Sequence, residues 1–142
     1  MTEQPTADTV NMNWVLNRLK EQQGVLHAIL LSSDGLVLAA SDGLDTEVAE
    51  RTAANASGAF SIGRSISEFA ETEGASPRKI IIDLPDSCIL IFGAGHRTAV
   101  AVSVAAEMTS KEAVVASAAT IKAINGLRPS LSARERTAYG TQ

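Results

Sequence analysis

The stretch DTEVAERTAANASGAFSIGRSISEFAE, residues 45–71, predicts a long helix around which the rest of the chain is arranged. It contains no proline, and Asp45 suits the N-cap position because its carboxylate can accept hydrogen bonds from the free N–H groups of the first turn. At about 100° per residue, one broad face of this helix is apolar enough to cover a sheet. That face comprises Val48, Ala49, Thr52, Ala53, Ala56, Ala59, Phe60, Gly63, Ile66 and Ala70.

The opposite face of this helix consists of small residues. These are Ala54, Ser57, Gly58, Ser61 and Ser65. A solvated face usually carries charged residues along its length, and a glycine in mid-helix costs about 1 kcal/mol relative to alanine. Small side chains let another helix approach closely, so we interpret this face as a homodimer interface. The alternative is a surface helix that happens to be rich in serine and alanine.

Charged residues of the helix lie mainly toward its ends and along one flank, where they are candidate contacts for a partner. These are Glu50, Arg51, Arg64 and Glu68.

Composition excludes several classes of protein. The 142 residues are 45% apolar and 4% aromatic, which predicts one globular domain with an aliphatic core. The net charge of −4 argues against a nucleic-acid-binding protein, which usually has a basic patch. No apolar run approaches the roughly 20 residues of a membrane span, and the polar start MTEQPTADTV is unlike a signal peptide. We therefore expect a cytoplasmic protein without direct membrane insertion.

Apolar runs of strand length flank the central helix. Two runs, at residues 25–32 and 36–40, are separated by Ser33-Asp34-Gly35, which is typical of a β-hairpin. Three more runs follow the helix, at residues 79–84, 88–94 and 98–104. Because short turns such as Gly95-His96-Arg97 join these three, we expect antiparallel neighbours.

Two further helices are predicted at the ends of the domain. The first spans residues 10–23, with Val10, Trp14, Val15 and Leu19 at helical spacing and Gly24 beyond its end. The last opens with Thr109 as N-cap and Glu112 three residues on, a capping box, and ends at Gly126. We expect its buried side to comprise Val114, Val115, Ala118, Ile121 and Ile124.

The predicted fold is a layered α/β (α+β) arrangement of order α-β-β-α-β-β-β-α. A five-stranded antiparallel sheet carries the central helix on one face and the two terminal helices on the other. The domain covers residues 10–127, between a flexible arm at 1–9 and a flexible polar tail at 128–142.

Motifs for catalysis or cofactor binding are missing from the sequence. It has no G-x-x-x-x-G-K-[ST] phosphate loop, no H-E-x-x-H and no G-x-G-x-x-G opening a helix. His27 lies within a predicted strand, His96 lies in a turn, and Cys88, the only cysteine, is interpreted as a small core residue. We therefore predict no catalytic residue, no metal site and no cofactor, and an enzyme is disfavoured.

The order of these elements resembles the Roadblock/dynein light chain family. The resemblance starts in the hairpin LLSSDGLVLAAS (30–41), with its Asp-Gly turn, and continues through the long helix. It extends through CILIFGAGHRTAVAVSVAA (88–106) into the last helix, and covers about residues 12–127. The bacterial, MglB-like branch comprises small homodimers that regulate Ras-like GTPases. The chain looks most similar to members whose operons also encode a sensor-kinase-like protein and a small GTPase.

This resemblance implies a dimer interface and protein partners. In the family, the second helix and the third strand pair two subunits into one continuous sheet. Carried over, these positions are Ala54, Ser57, Gly58, Ser61 and Ser65 on the helix, and Ile80, Ile81, Ile82 and Asp83 on the strand. The implied partners are a small Ras-like GTPase and a sensor-kinase-like protein, the latter recruiting the dimer to a membrane-bound complex.

Two other functional classes stay open at this point. A small-molecule sensor of PAS- or GAF-like layout would need a pocket with convergent polar groups. An enzyme would need the constellation that the sequence lacks. Within the adaptor hypothesis, GTPase activation, nucleotide exchange and scaffolding all stay open. A trans-acting arginine can stabilise a transferring phosphate, but this role is disfavoured for Arg51 and Arg64 because an arginine on a helix is usually a solvated charge.

Overall fold

The computed structural model describes residues 7–138, with the side chains of residues 12–133. Three helices and five strands follow one another in the predicted order. They are α1 (Ala7–Lys20), β1 (Val25–Ser32), β2 (Val37–Ala40), α2 (Thr46–Ser65), β3 (Lys79–Asp83), β4 (Cys88–Gly95), β5 (Thr98–Val104) and α3 (Lys111–Ala138). A short 3₁₀ helix (Ser67–Ala70) follows α2.

The five strands form one antiparallel sheet in the order β2-β1-β5-β4-β3. Hairpins join β1 to β2, β3 to β4 and β4 to β5, while β1 and β5 pair in the middle of the sheet. The predicted antiparallel sheet is therefore confirmed. Its two edges are β2, which has four residues, and β3, which has five.

Side chains alternate between the two faces of the sheet, as the period of a strand requires. Leu30, Leu90 and Val102 pack with α1 and α3 in the larger core cluster. Ile29 and Ile91 point the other way and pack under α2. The predicted layers, one helix on one face and two on the other, are confirmed.

The central helix begins as predicted but is shorter. Asp45 occupies the N-cap with extended backbone, although its side chain makes no capping hydrogen bond. The α-helix ends at Ser65 rather than near residue 71, and the 3₁₀ helix occupies residues 67–70 of the predicted segment.

The face of α2 that covers the sheet is narrower than the predicted one. Its buried residues are three alanines, Ala49, Ala53 and Ala56, and Phe60 packs beside them. Val48, Ile66 and Ala70, which the sequence assigned to this face, are exposed. Alanines let the helix lie close to the sheet, so only a thin stripe of the helix is covered.

The capping box predicted for α3 is wrong by one residue. Ser110 is the cap, and its Oγ accepts a hydrogen bond from the Ala113 N–H at 3.1 Å. The Thr109 hydroxyl instead donates to Glu107. Glu112 lies close to Gly24: if Gly24 carried a Cβ atom, it would be 3.2 Å from the Cβ and Cγ of Glu112.

The last helix also continues past its predicted end at Gly126. It runs through Gly126 and Pro129 to Ala138. Leu127 and Leu131 are both fully buried in the larger core cluster. Packing therefore extends into the segment 128–142, which the sequence predicted to be a flexible tail; residues 139–142 lie outside the described residues.

The buried side predicted for α3 is mostly wrong as well. Of the five predicted residues, Ile124 is buried, whereas Val114, Val115, Ala118 and Ile121 are exposed. The residues that face the core are Ala113, Ala116, Thr120, Ile124, Leu127 and Leu131. The larger apolar residues indicated the wrong face because alanines supply the contact in the first turns.

The first helix begins at Ala7 and ends at Lys20, whereas residues 10–23 were predicted. Met12, Leu16 and Leu19 are buried against the sheet, and Trp14 points outward with 60% of its surface exposed. The predicted arm overlaps the start of this helix at residues 7–9, and residues 1–6 lie outside the described part.

Candidate functional site

A second apolar stripe runs along the outward side of α2 and into the 3₁₀ turn. Ile62 is 64% exposed and Phe69 is 95% exposed, and Ile66 lies between them. Gly58 continues the stripe, and an added Cβ at Gly58 would meet no atom within 4 Å. Large apolar side chains lined up in solvent usually mark an interaction surface. We call these four residues the outer α2 stripe.

The predicted interface residues lie on and around this stripe. Ala54, Gly58, Ser61 and Ser65 are exposed, while Ser57 is half-buried. Ile62 and Phe69 are not among the residues predicted for this surface, and Ile66 is among those predicted to cover the sheet. Their spacing of three or four residues was a signal that could have revealed this second face.

Two of the small residues have a partner within the same chain. The Ser57 hydroxyl donates a hydrogen bond of 2.7 Å to the Ser33 carbonyl oxygen. The Cα of Ala54 lies 3.2 Å from the ideal Cβ position of Gly35. Small side chains at 54 and 57 therefore let the β1–β2 turn approach α2, and this contact accounts for part of the small face.

The predicted strand part of the interface lies at a free edge. Among the described strands, β3 pairs only with β4, so one side of its backbone has no neighbour from that part of the chain. Ile80 packs against the cluster under α2, whereas Ile81, Ile82 and Asp83 are exposed. An exposed edge of this kind is a template for pairing with another strand.

Pro77 connects the strand edge to the helix. It precedes β3, and its ring occupies the space that a side chain at Gly63 would need. The neighbouring Ser76 accepts a hydrogen bond of 3.1 Å from the Nε of Arg64. The structure thus holds the segment leading to β3 against the second half of α2.

The four candidate partner contacts, Glu50, Arg51, Arg64 and Glu68, are all exposed. Arg51 lies 3.9 Å from the Glu47 carboxylate, and both side chains are largely in solvent. Such a pair contributes little to stability. The Arg51 charge therefore stays accessible to solvent.

A groove of about 470 Å³ separates the second half of α2 from the end of the sheet. Leu31, Phe60 and Ala99 form apolar parts of its lining, and Arg64 and Arg97 are its charged residues. None of the described residues that line it is acidic. The sequence did not predict this groove because it is formed by residues far apart in the chain.

The turn at the rim of this groove has an unusual backbone. Between the paired residues Gly95 and Thr98, His96 and Arg97 have φ angles of 51° and 57°. Such two-residue hairpin turns usually carry Asn-Gly, and each non-glycine residue held there costs about 1–3 kcal/mol. Backbone strain of this kind is concentrated at functional sites.

The cysteine and the two histidines lie on different elements: Cys88 in β4, His27 in β1 and His96 in the β4–β5 turn. Burial, with repulsion from the Asp83 and Glu107 carboxylates, raises the pKa of the Cys88 thiol and disfavours the reactive thiolate. His27 lies within β1, and its buried Nδ1 has no hydrogen-bond partner among the described residues. Within the same residues, no three acidic, histidine or cysteine side chains are grouped to hold a metal ion.

None of the helices in the described part of the chain combines the length and the apolar character needed to cross a membrane.

The sequence of this domain matches a known protein family. Residues 12–103 match the family model of the Roadblock/LC7 domain. The chain belongs to the Roadblock/LC7 family. The resemblance inferred from the hairpin, the long helix and the strands is thereby confirmed.

Solved structures agree with this assignment. A Roadblock/LC7 domain from Streptomyces avermitilis is 31% identical, with a TM-score of 0.73 over 84% of this chain and 97% of that one. MglB from Myxococcus xanthus is 12% identical, with a TM-score of 0.75 over 93% and 96% of the two chains. The gliding protein MglB from Thermus thermophilus is 14% identical, with a TM-score of 0.72 over 92% and 98%. At these low identities, the two MglB structures support the fold alone. No curated protein matches this Roadblock chain.

Proposed function

We propose that this Roadblock protein is a non-enzymatic homodimeric adaptor that binds and regulates a small Ras-like GTPase in a bacterial signalling complex. One observation carries the proposal: the outer α2 stripe is apolar and exposed in a domain that also has a free edge at β3. The family resemblance supplies the class of partner, a small GTPase together with a sensor-kinase-like protein. We expect such a complex to assemble in the cytoplasm.

The dimer would cover both exposed features at once. A second copy related by a two-fold axis presents the same stripe and the same edge, so each surface meets its own equivalent. Pairing of β3 with β3 continues the sheet across both subunits and removes the open edge. Packing of α2 on α2 at Gly58 takes Ile62 and Ile66 out of water.

Light scattering of the purified protein tests the dimer. The chain mass is 14.8 kDa, so a homodimer gives about twice that value. Ile62→Glu, Gly58→Glu and Ser61→Arg should each shift the mass toward the monomer, because a charge or a bulky side chain has no place at the crossing. Val114→Glu is a matched control on α3, since Val114 and Ile62 are both 64% exposed. Wild-type protein with the mass of a monomer would overturn the proposed dimer.

Binding of a GTPase requires a separate experiment. A small Ras-like GTPase encoded beside the gene, loaded with GDP or with a non-hydrolysable GTP analogue, should bind the dimer in one nucleotide state preferentially. Charge reversal at Glu50 and Glu68 should weaken this binding and leave the dimer mass unchanged. Equal affinity for both nucleotide states would contradict a regulatory role, and single-turnover GTP hydrolysis would separate activation from scaffolding.

A further inference from the structure

Two close contacts to α2 shape the lining of the groove beside this helix. One wall is the segment Ser76-Pro77, which is seated on Gly63 because only a residue without a side chain leaves room for the Pro77 ring. At the other end, the Ser57 hydroxyl binds the Ser33 carbonyl and holds the β1–β2 turn against α2. Both walls therefore depend on close approaches to the same helix.

The charge of the groove is opposite to that of the whole chain. The protein has a net charge of −4, yet the described lining contains Arg64 and Arg97 and no carboxylate. The Arg64 Nε donates a hydrogen bond of 3.1 Å to the Ser76 Oγ, which favours one orientation of the exposed guanidinium. A guanidinium held in one orientation is suited to the planar or tetrahedral oxygens of a carboxylate or phosphate.

The rest of the lining is suited to an apolar body. Leu31 and Ala99 lie on the sheet side and Phe60 on the helix side. A volume of about 470 Å³ falls in the usual range for small-molecule sites, which are largely apolar with a few placed polar groups. The strained turn at His96 and Arg97 positions the second arginine at the rim.

We propose that this groove binds a small organic anion, with its apolar or aromatic body against Phe60 and its carboxylate or phosphate at Arg64. This inference does not rest on the proposed GTPase role. It would give the Roadblock dimer a ligand input beside the helix that we propose as its interface, so that adaptor and sensor functions would lie in one domain.

Titration of the full-length ¹⁵N-labelled protein by NMR tests this proposal with four probes. Phenyl phosphate and benzoate carry both an aromatic body and an anionic group. Inorganic phosphate lacks the body, and benzyl alcohol lacks the charge. We expect saturable shifts of the amides of Ser76, Gly95 and Thr98 with phenyl phosphate or benzoate, and about tenfold weaker binding of the other two probes. The tighter of the two anions identifies the head group.

Two matched variants separate the site from general charge effects. Arg64→Gln should weaken binding of the preferred anion by about tenfold or more, because a charge-assisted hydrogen bond is lost. Arg51→Gln, an exposed arginine on the same helix outside the groove, should bind as the wild type does. A spectrum of the free Arg64→Gln variant that differs from the wild type only around residues 64 and 76 shows that the fold is intact.

Three results would overturn the proposal. The first is no saturation with either aromatic anion at millimolar concentration. The second is an equal loss of affinity in Arg51→Gln and Arg64→Gln, which indicates non-specific attraction. The third is tight binding of benzyl alcohol, which indicates an apolar site without anion selectivity.

Discussion

The ideal Cβ position of Gly35 lies 3.2 Å from the Cα of Ala54. Gly35 is in the β1–β2 turn with φ at 85°, and Ala54 is on α2. A glycine is therefore required at position 35 for two reasons: the backbone is left-handed there, and α2 approaches closely. The same contact explains why α2 carries small residues on the flank nearest the hairpin.

Gly35→Ala should destabilise the domain more than Gly74→Ala. Both positions have positive φ, 85° and 81°, but a Cβ at Gly74 meets nothing within 4 Å. We expect a loss of about 1–2 kcal/mol from backbone strain at Gly74 and a larger loss at Gly35, where α2 must also move. Chemical denaturation of both variants measures the difference. Equal losses would mean that the turn and the helix are not tightly packed.

Replacement of the two open helical glycines should separate folding from association. At Gly126 and Gly58, an added Cβ meets nothing within 4 Å in the single chain. Gly126→Ala should raise the free energy of unfolding by about 1 kcal/mol through helix propensity. Gly58→Ala should gain less, because the proposed dimer brings another helix to that position. Denaturation at two protein concentrations tests this, and identical gains would place Gly58 outside the interface.

Leu131→Ala should show that the second half of α3 belongs to the core. Leu131 is fully buried, although it follows Pro129 within the helix. Removal of a buried leucine side chain costs about 2–5 kcal/mol, whereas Val114→Ala, at a position 64% exposed, should cost little. Thermal unfolding compares the two variants. A negligible loss of stability in Leu131→Ala would instead support the sequence prediction that residues 128–142 form a flexible tail.

Cys88 should make the stability depend on pH in the alkaline range. Burial and two nearby carboxylates raise the pKa of its thiol above the ordinary value of 9.0. The folded protein then keeps a proton that the unfolded chain releases, so the free energy of unfolding falls as the pH rises through and beyond about 9. Cys88→Ala should lose this component of the slope. A slope identical in both proteins would assign the pH dependence to other groups.

Local patterns predicted most of the fold. Asp45 was identified as an N-cap, the Asp34-Gly35 turn as a hairpin, and the five apolar runs as antiparallel strands, since each depends on a few adjacent residues. The face of α3 was predicted wrongly, because Val114 and Ile121 are large and Ala113 and Ala116 are small. Which side of a helix is buried depends on the space that its neighbours leave, and the sequence of the helix does not contain that information.

The features of the candidate site also divide into those that follow from local sequence and those that depend on tertiary structure. The sequence by itself determined the order of elements, the family and the small residues of α2, because backbone preferences and apolar periodicity are local properties. Only the tertiary structure decided that Ala54 and Ser57 serve the hairpin turn, that Ile62 and Phe69 remain in solvent, and that an arginine-lined groove lies beside them. The contacts to the hairpin turn and the groove join residues distant in the chain, and whether an apolar side chain stays in solvent depends on what packs near it, so no single stretch of sequence contains this information.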